Sequence, residues 1–461
     1  MAENKTYYFI GINGIGMSGL AEILKSKGHH VLGSDTSKSI RRAHFESIGI
    51  KVSSSQVSSN ITSKEWIIVL SSAIKSNNKE LIQAIKLGCK ILKRGELLAE
   101  IIHDYKKTIA VVGTHGKTTT SSLLVEIFTE LTTPSYFVGG HFDDKPHARA
   151  NDSEWFITEL DESDGSFLNV TASNTIITNI EHDHVDFYQT KDQLLKAFSE
   201  CINKTIQSNG CCAINLDDPI SEKLYKKFEH KENFVTFGIE SNTAQIRAES
   251  IEYHWNGCEF TLVINDNKVD QVVMSLFGKH NVYNALSAIS NAIQKEEPLK
   301  HILNGLKKFS GVKRRLELKY QANGIKLYDD YAHHPTEVIS TLEGLFKSFT
   351  NHRIITIFQP HRYTRLTNLF DAFSNSFNRS SKTCIVPVFA AGETPENKKS
   401  SFDLANQIKI NGGQAESFES FDDVIDNVSK SIQANDIIIV MGAGNISNIS
   451  KQLIPLIKRV R

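Results

Sequence analysis

The sequence predicts an α/β protein of three domains: an N-terminal Rossmann-like domain, a central P-loop mononucleotide-binding domain and a C-terminal Rossmann-like domain. Short β-branched runs alternate with amphipathic runs almost throughout, the pattern of parallel strands joined by crossover helices. Three such stretches open on a strand followed by a turn rich in glycine or in chemically active side chains. A chain of 461 residues is also long for one core, at about 100–200 residues per domain. The expected boundaries are 1–106, 107–312 and 313–461.

The first domain starts with the strand YYFIGI and a helix that closes at Lys25, Lys27 and Gly28, a C-terminal signal. HVLGSD, ending in Asp35, is the second strand; WIIVLSSA and CKILKR are further ones, and His103–Lys107 is a candidate linker. The central domain opens with TIAVVG and a long helix from Lys117, then runs through the strands EWFITEL, NTIITNI, GCCAINL and FVTFGI. Asn256-Gly257, between EYHW and CEFTLVI, predicts a hairpin turn. The third domain has strands at IKLYDDY, RIITIFQ, TCIVPVF and DIIIVMG.

Composition excludes several functions. Apolar residues are 40% and charged residues 23%, ordinary for globular domains, and formal net charge is zero. A general polyanion binder such as a nucleic-acid protein is not expected. No run approaches the roughly 20 apolar residues of a membrane span, and the opening residues lack a secretory h-region. Six cysteines show no metal-type pairing and are expected to be reduced thiols. These features together place the protein in the cytoplasm.

The central turn Gly113-Thr114-His115-Gly116-Lys117-Thr118-Thr119 carries the strongest chemistry. Its glycines let backbone N–H groups approach phosphate oxygens, and the helix N-terminus adds favourable partial charge. Lys117 can neutralise β- and γ-phosphates and the Thr118 hydroxyl can ligate magnesium. The full Walker pattern would place glycine at position 111, where Val111 stands. Two later strands end in acidic or histidine tips, Glu159, Asp161, Glu162 and Asp164 after one, Glu181, His182, Asp183, His184 and Asp186 after the other. At the carboxyl ends of a parallel sheet such groups converge on the ligand crevice and suit a divalent cation.

In the first domain Gly14, Gly16 and Gly19 match G-x-G-x-x-G, and Asp35 follows near the spacing of a ribose-binding acid. Alone this suggests NAD, but the physics serves any diphosphate joined to a ribose, UDP included. Arg94 could serve that diphosphate or lie on the surface. The third domain offers Asp329-Asp-Tyr-Ala-His-His-Pro-Thr-Glu337 and Gln359-Pro-His-Arg-Tyr-Thr-Arg365. Pro335 suits a first helical turn, and Arg362 and Arg365 can clamp a carboxylate or phosphate.

In order along the chain, GINGIGMSGLAE, SSAI, GTHGKTTT, DESD, NIEHDHVD, GKHNVYNAL, GVKRRLE, DDYAHHPTE, QPHRYTR, AAGE and MGAGN resemble the Mur ligases. These are the ATP-dependent enzymes that build the peptide of bacterial peptidoglycan, and the likeness is greatest to the alanine-adding branch. The resemblance implies UDP-N-acetylmuramate and L-alanine as substrates, with ATP and Mg2+, in a monomer or weak homodimer. The first domain would hold UDP through Gly14, Gly16, Met17, Ser18, Asp35, Ser72 and Arg94. ATP would lie on Gly113 to Thr119, with Asn281 and Asn284 at the adenine and Arg315 and Asp330 at phosphate and ribose. Magnesium would take Thr118, Glu159 and His184. Alanine would sit against Tyr331, His333, Arg362 and Arg365; Lys117, His333 and Arg362 would carry catalysis. The resemblance also implies an acyl phosphate intermediate.

Three departures stand out. HFDDKPHARANDSEW replaces a glycine-rich stretch, Asn445 stands where the family has Asp, and Asn13 where it has Gly. The alternatives are the recycling ligase that attaches a ready-made L-Ala-γ-D-Glu-diaminopimelate tripeptide, an NAD-dependent oxidoreductase, and an inactive UDP-sugar-binding regulator.

Overall fold

The run YYFI is buried at all four residues, a demand met by a strand with neighbours on both edges and helices on both faces. The computed structural model describes residues 4–37, 41–142, 145–163, 165–181, 187–295 and 297–460. In it β1 (Thr6–Ile10), β2 (His30–Ser34), β3 (Lys51–Ser53), β4 (Ile67–Leu70) and β5 (Lys90–Lys93) form a parallel sheet of order β3-β2-β1-β4-β5. This is the order of a dinucleotide-binding half-fold, whose crevice lies beyond the carboxyl ends of the strands. Its helices include α1 (Ile15–Ser26), α2 (Arg41–Ser47), α3 (Lys79–Leu87) and α4 (Arg94–His103).

Three residues past α4 the next sheet begins. Seven of its ten strands are β6 (Lys107–Val112), β7 (Ser135–Phe137), β8 (Ala148–Arg149), β9 (Trp155–Glu159), β10 (Asn174–Ile177), β11 (Cys211–Asn215) and β12 (Phe234–Gly238), which run in the order β12-β11-β10-β6-β9-β7-β8. All neighbours are parallel except the edge pair β7 and β8. β6 sits between β10 and β9, so the loop after it opens where the strand order reverses. α5 (Lys117–Thr129) follows that loop and is buried from Thr118 to Phe128.

By internal contacts the chain divides into two compact units. The first is Met1–Arg247, Leu262–Val269 and Asn284–Leu306; the second is Ala248–Thr261, Asp270–Tyr283 and Lys307–Arg461. Within the first unit one apolar core runs from Phe9 and Leu20 to Val112 and Phe156. Close approach is possible because Gly19 on α1 has no side chain; a Cβ there would lie 2.8 Å from both Ala148 and Phe137. The strands β13 (Ile246–His254), β14 (Gly257–Ile264) and β15 (Asn267–Met274) are shared between the units. The hairpin turn falls at Trp255-Asn256, one residue before the expected Asn256-Gly257, and Gly257 is the first strand residue with φ of 152°.

The second unit contains β16 (Glu317–Ala322), β17 (Ile325–Asp330), β18 (Ile354–Phe358), β19 (Lys382–Ile385), β20 (Ala415–Ser417) and β21 (Ile437–Met441), ordered β16-β17-β21-β18-β19-β20. Only the edge strand β16 is antiparallel to its neighbour. Apolar layers cover both faces, Val338, Leu342, Phe358 and Phe373 on one, Ile355, Val424, Val440 and Leu453 on the other. Among the described residues no helix is long and apolar enough to cross a membrane.

Candidate active site

The loop from Gly113 to Gly116 is shaped by backbone that only glycine accepts easily. Gly113 has φ of 133° and Gly116 φ of 82°, both in the region that L side chains disfavour. Space is equally tight: a Cβ on Gly116 would lie 2.2 Å from Asn284 Oδ1. The NIE segment after β10 fastens the loop. Thr114 N donates to Asn179 O at 3.0 Å, and His115 N to Asn179 Oδ1 at 2.9 Å. Thr178 Oγ1 donates to His115 O at 2.7 Å. The sequence pointed to the acidic tip beyond Asn179 and missed this scaffolding role.

Lys117, the first residue of α5, is partly buried and turned back over the loop. Its Nζ donates to Gly113 O at 2.5 Å, Thr114 O at 3.2 Å and Glu162 Oε2 at 2.8 Å. Burial alone would depress its pKa, but the carboxylates of Glu162, Asp161 and Glu159 outweigh that and raise it. The ammonium is therefore charged throughout the neutral range, placed where a triphosphate would run. Glu162 lay in the expected acidic tip without an assigned role; here it is the lysine's ion-pair partner.

Thr118 Oγ1 donates to Glu159 Oε2 at 2.6 Å. A Cβ on Gly139 would come within 2.0 Å of Glu159 Oε1, so that glycine leaves room for the carboxylate. A hydroxyl and a carboxylate beside the phosphate loop are hard oxygen donors and fit Mg2+. His184, the third expected ligand, lies outside the described residues, as do Asp164, His182, Asp183 and Asp186. His115 Nε2 lies 2.8 Å from Glu181 Oε2. Of the two asparagines expected at adenine, Asn284 lies against Gly116 and accepts from Thr120 Oγ1 at 3.4 Å. Asn281 Nδ2 donates to Phe277 O at 3.0 Å, just ahead of its own helix.

In the first sheet, Gly14 precedes α1 and accepts from the N–H groups of Met17 and Ser18. Met17's side chain is buried in the apolar core, so it can offer a ligand little but backbone. Ser18 Oγ is used inside the fold: it donates to Ile15 O at 3.0 Å and accepts from Arg41 NH1 at 2.7 Å. Both Asp35 oxygens are also engaged, Oδ2 by Asn13 N at 2.9 Å and Oδ1 by Ser37 N at 2.8 Å and Ser37 Oγ at 2.6 Å. Asp35 thus braces the loop, and a ribose would have to displace these donors. The Asn13 side chain is held on the same segment, its Nδ2 donating to Ser37 O and Ser37 Oγ, each at 3.2 Å. Ser72, beyond β4, is exposed. Arg94 lies directly over Gly16, where a Cβ would meet its Cδ at 2.9 Å and its NH1 at 3.1 Å.

The polar segment that replaces the expected glycine-rich stretch contributes His147. This buried ring packs on α1, with Nε2 2.9 Å from Ile15 O and 3.3 Å from Ser18 Oγ. Burial, with His141 and Arg41 nearby, depresses its pKa to about 3. The ring is therefore neutral and donates from Nε2 to the Ile15 carbonyl. No motif flagged it.

In the second unit, Asp330 at the end of β17 is buried. Its Oδ2 accepts from Leu316 N and its Oδ1 from Ala332 N, each at 2.7 Å. Burial pushes its pKa up to about 7 although Arg315 pulls the other way. Tyr331 carries both arginines of the VKRR segment on its ring, Arg314 Cζ at 4.8 Å and Arg315 Cζ at 5.1 Å from the centroid. His333 Nδ1 is 3.0 Å from Tyr331 O and 3.3 Å from Glu337 Oε2. Burial is the main reason its pKa falls below the ordinary 6.5. Pro335 opens the next helix as expected, and Glu337 closes the cap by accepting from the N–H groups of His333 and His334.

Arg362 takes a strained positive φ of 70°, and its Nε lies 3.1 Å from Glu393 Oε1 of the AAGE segment. Glu393 also accepts from Thr364 N and Oγ1, which with Arg362 holds its carboxyl below the usual range against the effect of burial. Arg362 thus has an internal counter-charge, and Arg365 NH1 lies 3.5 Å from His361 Nδ1. Asn445 Oδ1 accepts from Gln359 Nε2 at 3.1 Å, a bond that either Asn or Asp can make.

Asp330 gives a stability prediction. Its pKa rises from 3.8 in the unfolded chain to about 7 in the folded one, so the native state binds the extra proton. That contribution is complete below pH 4 and disappears as pH rises through 7. Asp330→Asn should therefore reduce the difference in Tm between pH 5 and pH 8, measured by thermal unfolding beside the wild type. An unchanged difference would mean the carboxyl titrates normally.

Comparison with known proteins gives three domain matches that together span most of the chain. Residues 6–106 match the Mur ligase family catalytic domain, 111–292 the Mur ligase middle domain, and 314–444 the Mur ligase glutamate ligase domain. A UDP-N-acetylmuramate–L-alanine ligase of Endomicrobium trichonymphae is 35% identical over 457 residues, covering 99% of each chain. One from Clostridium kluyveri is 38% identical, covering 97% of this chain and 98% of that protein. Among solved structures, the UDP-N-acetylmuramate–alanine ligase of Thermotoga maritima aligns with a TM-score of 0.82 at 25% identity, covering 98% of both chains. A murein peptide ligase from Psychrobacter arcticus shares the fold, with a TM-score of 0.71 at 24% identity over 99% of both.

Proposed function

This chain belongs to the Mur ligase family, and from that premise we propose that it joins L-alanine to the lactyl carboxylate of UDP-N-acetylmuramate with cleavage of ATP to ADP and phosphate, in peptidoglycan precursor synthesis. The observation that carries the reading is the partly buried Lys117 ammonium, held over a glycine loop beside Thr118 and Glu159. The full-length likeness to alanine-adding relatives supports the choice of substrates. An oxidoreductase has no use for that lysine, and Asp35, its expected ribose acid, is already occupied by the loop.

A carboxylate is a poor electrophile, so the reaction proceeds in two steps. The lactyl carboxylate oxygen attacks the γ-phosphorus, and the bond to the bridging oxygen of ADP breaks. Catalysis here is positioning and charge neutralisation: the N–H groups of the Gly113–Thr119 loop and Lys117 stabilise charge on the transferring phosphoryl group. Thr118 and Glu159 would hold Mg2+, which when bound neutralises charge on the β- and γ-oxygens. The neutral amine of L-alanine then attacks the acyl carbon, phosphate leaves, and the amine proton is lost. His333 is the proposed acceptor of that proton. Its lowered pKa keeps the ring neutral above the mid-6 range, as a base requires.

His333→Ala should lower turnover by roughly 100-fold or more, the usual worth of a positioned base, with little change in ATP affinity. Because burial holds the ring's pKa below the ordinary histidine value, the wild-type rate should hold through neutral pH and its acid limb should lie on the acid side of 6.5. Unchanged turnover in the variant would remove His333 from the role. The six cysteines are all free, which fits a reducing cytoplasm.

The decisive assay is phosphate release from ATP with UDP-N-acetylmuramate, adding L-alanine in one reaction and the L-Ala-γ-D-Glu-diaminopimelate tripeptide in another. Release that depends on L-alanine is the expected result. Release with tripeptide alone would assign the recycling reaction, and release with neither would overturn the ligase reading.

A further inference from the structure

Consecutive carboxylates of the DESD segment each hold a cation, and the two cations belong to different phosphate sites. Glu162 holds Lys117 of the ATP loop. Asp161 Oδ2 accepts from Arg94 NH2 at 3.2 Å, across 67 positions of sequence. Arg94 is the first residue of α4, and its remaining guanidinium edge covers Gly16 of the G-x-G-x-x-G turn. The contact depends on an intimate approach of α4 to the DESD loop. A Cβ on Gly95 would lie 2.5 Å from Ser166 Cβ, so only glycine lets Arg94 reach Asp161 at this position. Arg94 and Asp161 are 29% and 41% exposed, so a polar ligand can reach the pair.

We infer that Asp161 is a positioning residue that orients Arg94 toward the diphosphate of the UDP-sugar, and that the Asp161-Glu162 step sets that substrate in register with ATP. This rests on the reading of the Gly14–Gly19 turn as the UDP site. One guanidinium has five donors in a fixed plane. With NH2 committed to Asp161, the opposite edge faces the turn where diphosphate oxygens approach backbone N–H groups. Rotating Arg94 away would lose both the charge and its direction. Since Glu162 is the next residue, the carboxylates that hold the two cations are one residue apart on the same backbone. The lactyl carboxylate, carried by the UDP-sugar, is thereby placed relative to the γ-phosphate through one short piece of backbone.

The test measures affinity for UDP-N-acetylmuramate and for ATP by calorimetry, and KM and kcat for both, in the full-length protein. Asp161→Asn should weaken UDP-N-acetylmuramate binding by about fivefold, the worth of a half-exposed charge-assisted contact, and leave ATP binding within about twofold. Arg94→Met should weaken the UDP-sugar at least as much, and the double variant should be no worse than Arg94→Met alone. Gly95→Ala, which displaces α4 from Ser166, should reproduce the selective loss. Unaltered UDP-sugar affinity in Asp161→Asn, equal loss of both ligands, or additive effects in the double variant would each overturn the inference. Wild-type protein that binds ATP but not UDP-N-acetylmuramate would instead overturn the UDP reading, and the role of Arg94 with it.

Discussion

Lys117→Met should lower phosphate release by at least roughly 100- to 1,000-fold, the usual cost of removing one fixed charge from a phosphoryl-transfer site. In the resting protein Lys117 Nζ is shared among Gly113 O, Thr114 O and Glu162 Oε2, so its position is set before nucleotide arrives. The same variant should also be less stable. It leaves Glu162, whose side chain is 2% exposed, without its cation, and breaking a buried pair from one side costs about 3–5 kcal/mol. The two effects separate cleanly. Lys117→Met with Glu162→Gln should regain most of the lost Tm while activity stays at the level of the single variant. Recovery of activity in the double variant would mean that the lysine serves only to neutralise Glu162. Because the Lys117 pKa is raised above 10.5, its stabilising contribution is complete below that value and is lost only at still higher pH. The single variant's deficit should therefore not vary between pH 6 and pH 9.

How much of this was legible in the sequence depends on whether a function lies in local pattern or in contacts across the fold. The strands at Tyr7, Ile109, Ile157, Ile176, Ile357 and Ile439 were readable because buried parallel strands are short continuous apolar runs. The strand–turn–helix geometry at Gly113–Thr119 was readable because glycine, lysine and threonine occupy fixed places between a strand and a helix. Short edge strands were missed: β7 and β8 have three and two residues, too few for a period to show. Contacts over long sequence separations were also invisible. Arg94 meets Asp161, Arg362 meets Glu393 and His147 meets Ile15, and in each case the local sequence names at most one partner. Met17, Ser18 and Asp35 were expected at the ligand from the resemblance. Their contacts within the fold, Met17 in the core and Ser18 and Asp35 bonded to neighbouring loop atoms, could not be read from the motif's spacing.

Gly113→Ala should abolish ATP binding while leaving most of the first unit folded. The position is disfavoured for alanine twice over. Its φ of 133° lies in a region that L side chains rarely adopt, at a cost of about 1–3 kcal/mol. The added Cβ would also lie 2.2 Å from Thr178 Oγ1 and 2.8 Å from Asn179 O. Neither neighbour can yield easily. Thr178 Oγ1 donates to His115 O, and Asn179 holds Thr114 N and His115 N, so moving either releases the loop it scaffolds. The loop would lose the convergence of N–H groups on one point that a phosphate requires, and Lys117 would lose the Gly113 carbonyl that holds it. The parallel ladder from Lys107 to Val111, pairing β6 with β9, lies upstream and is untouched. Circular dichroism should show nearly native secondary structure with a Tm lower by several degrees, and calorimetry should show no ATP binding. UDP-N-acetylmuramate affinity should survive, since Arg94 and the Gly14–Gly19 turn do not contact Gly113. ATP binding at wild-type affinity would show that the loop relaxes around the methyl group and that its tight geometry is not what holds the phosphates.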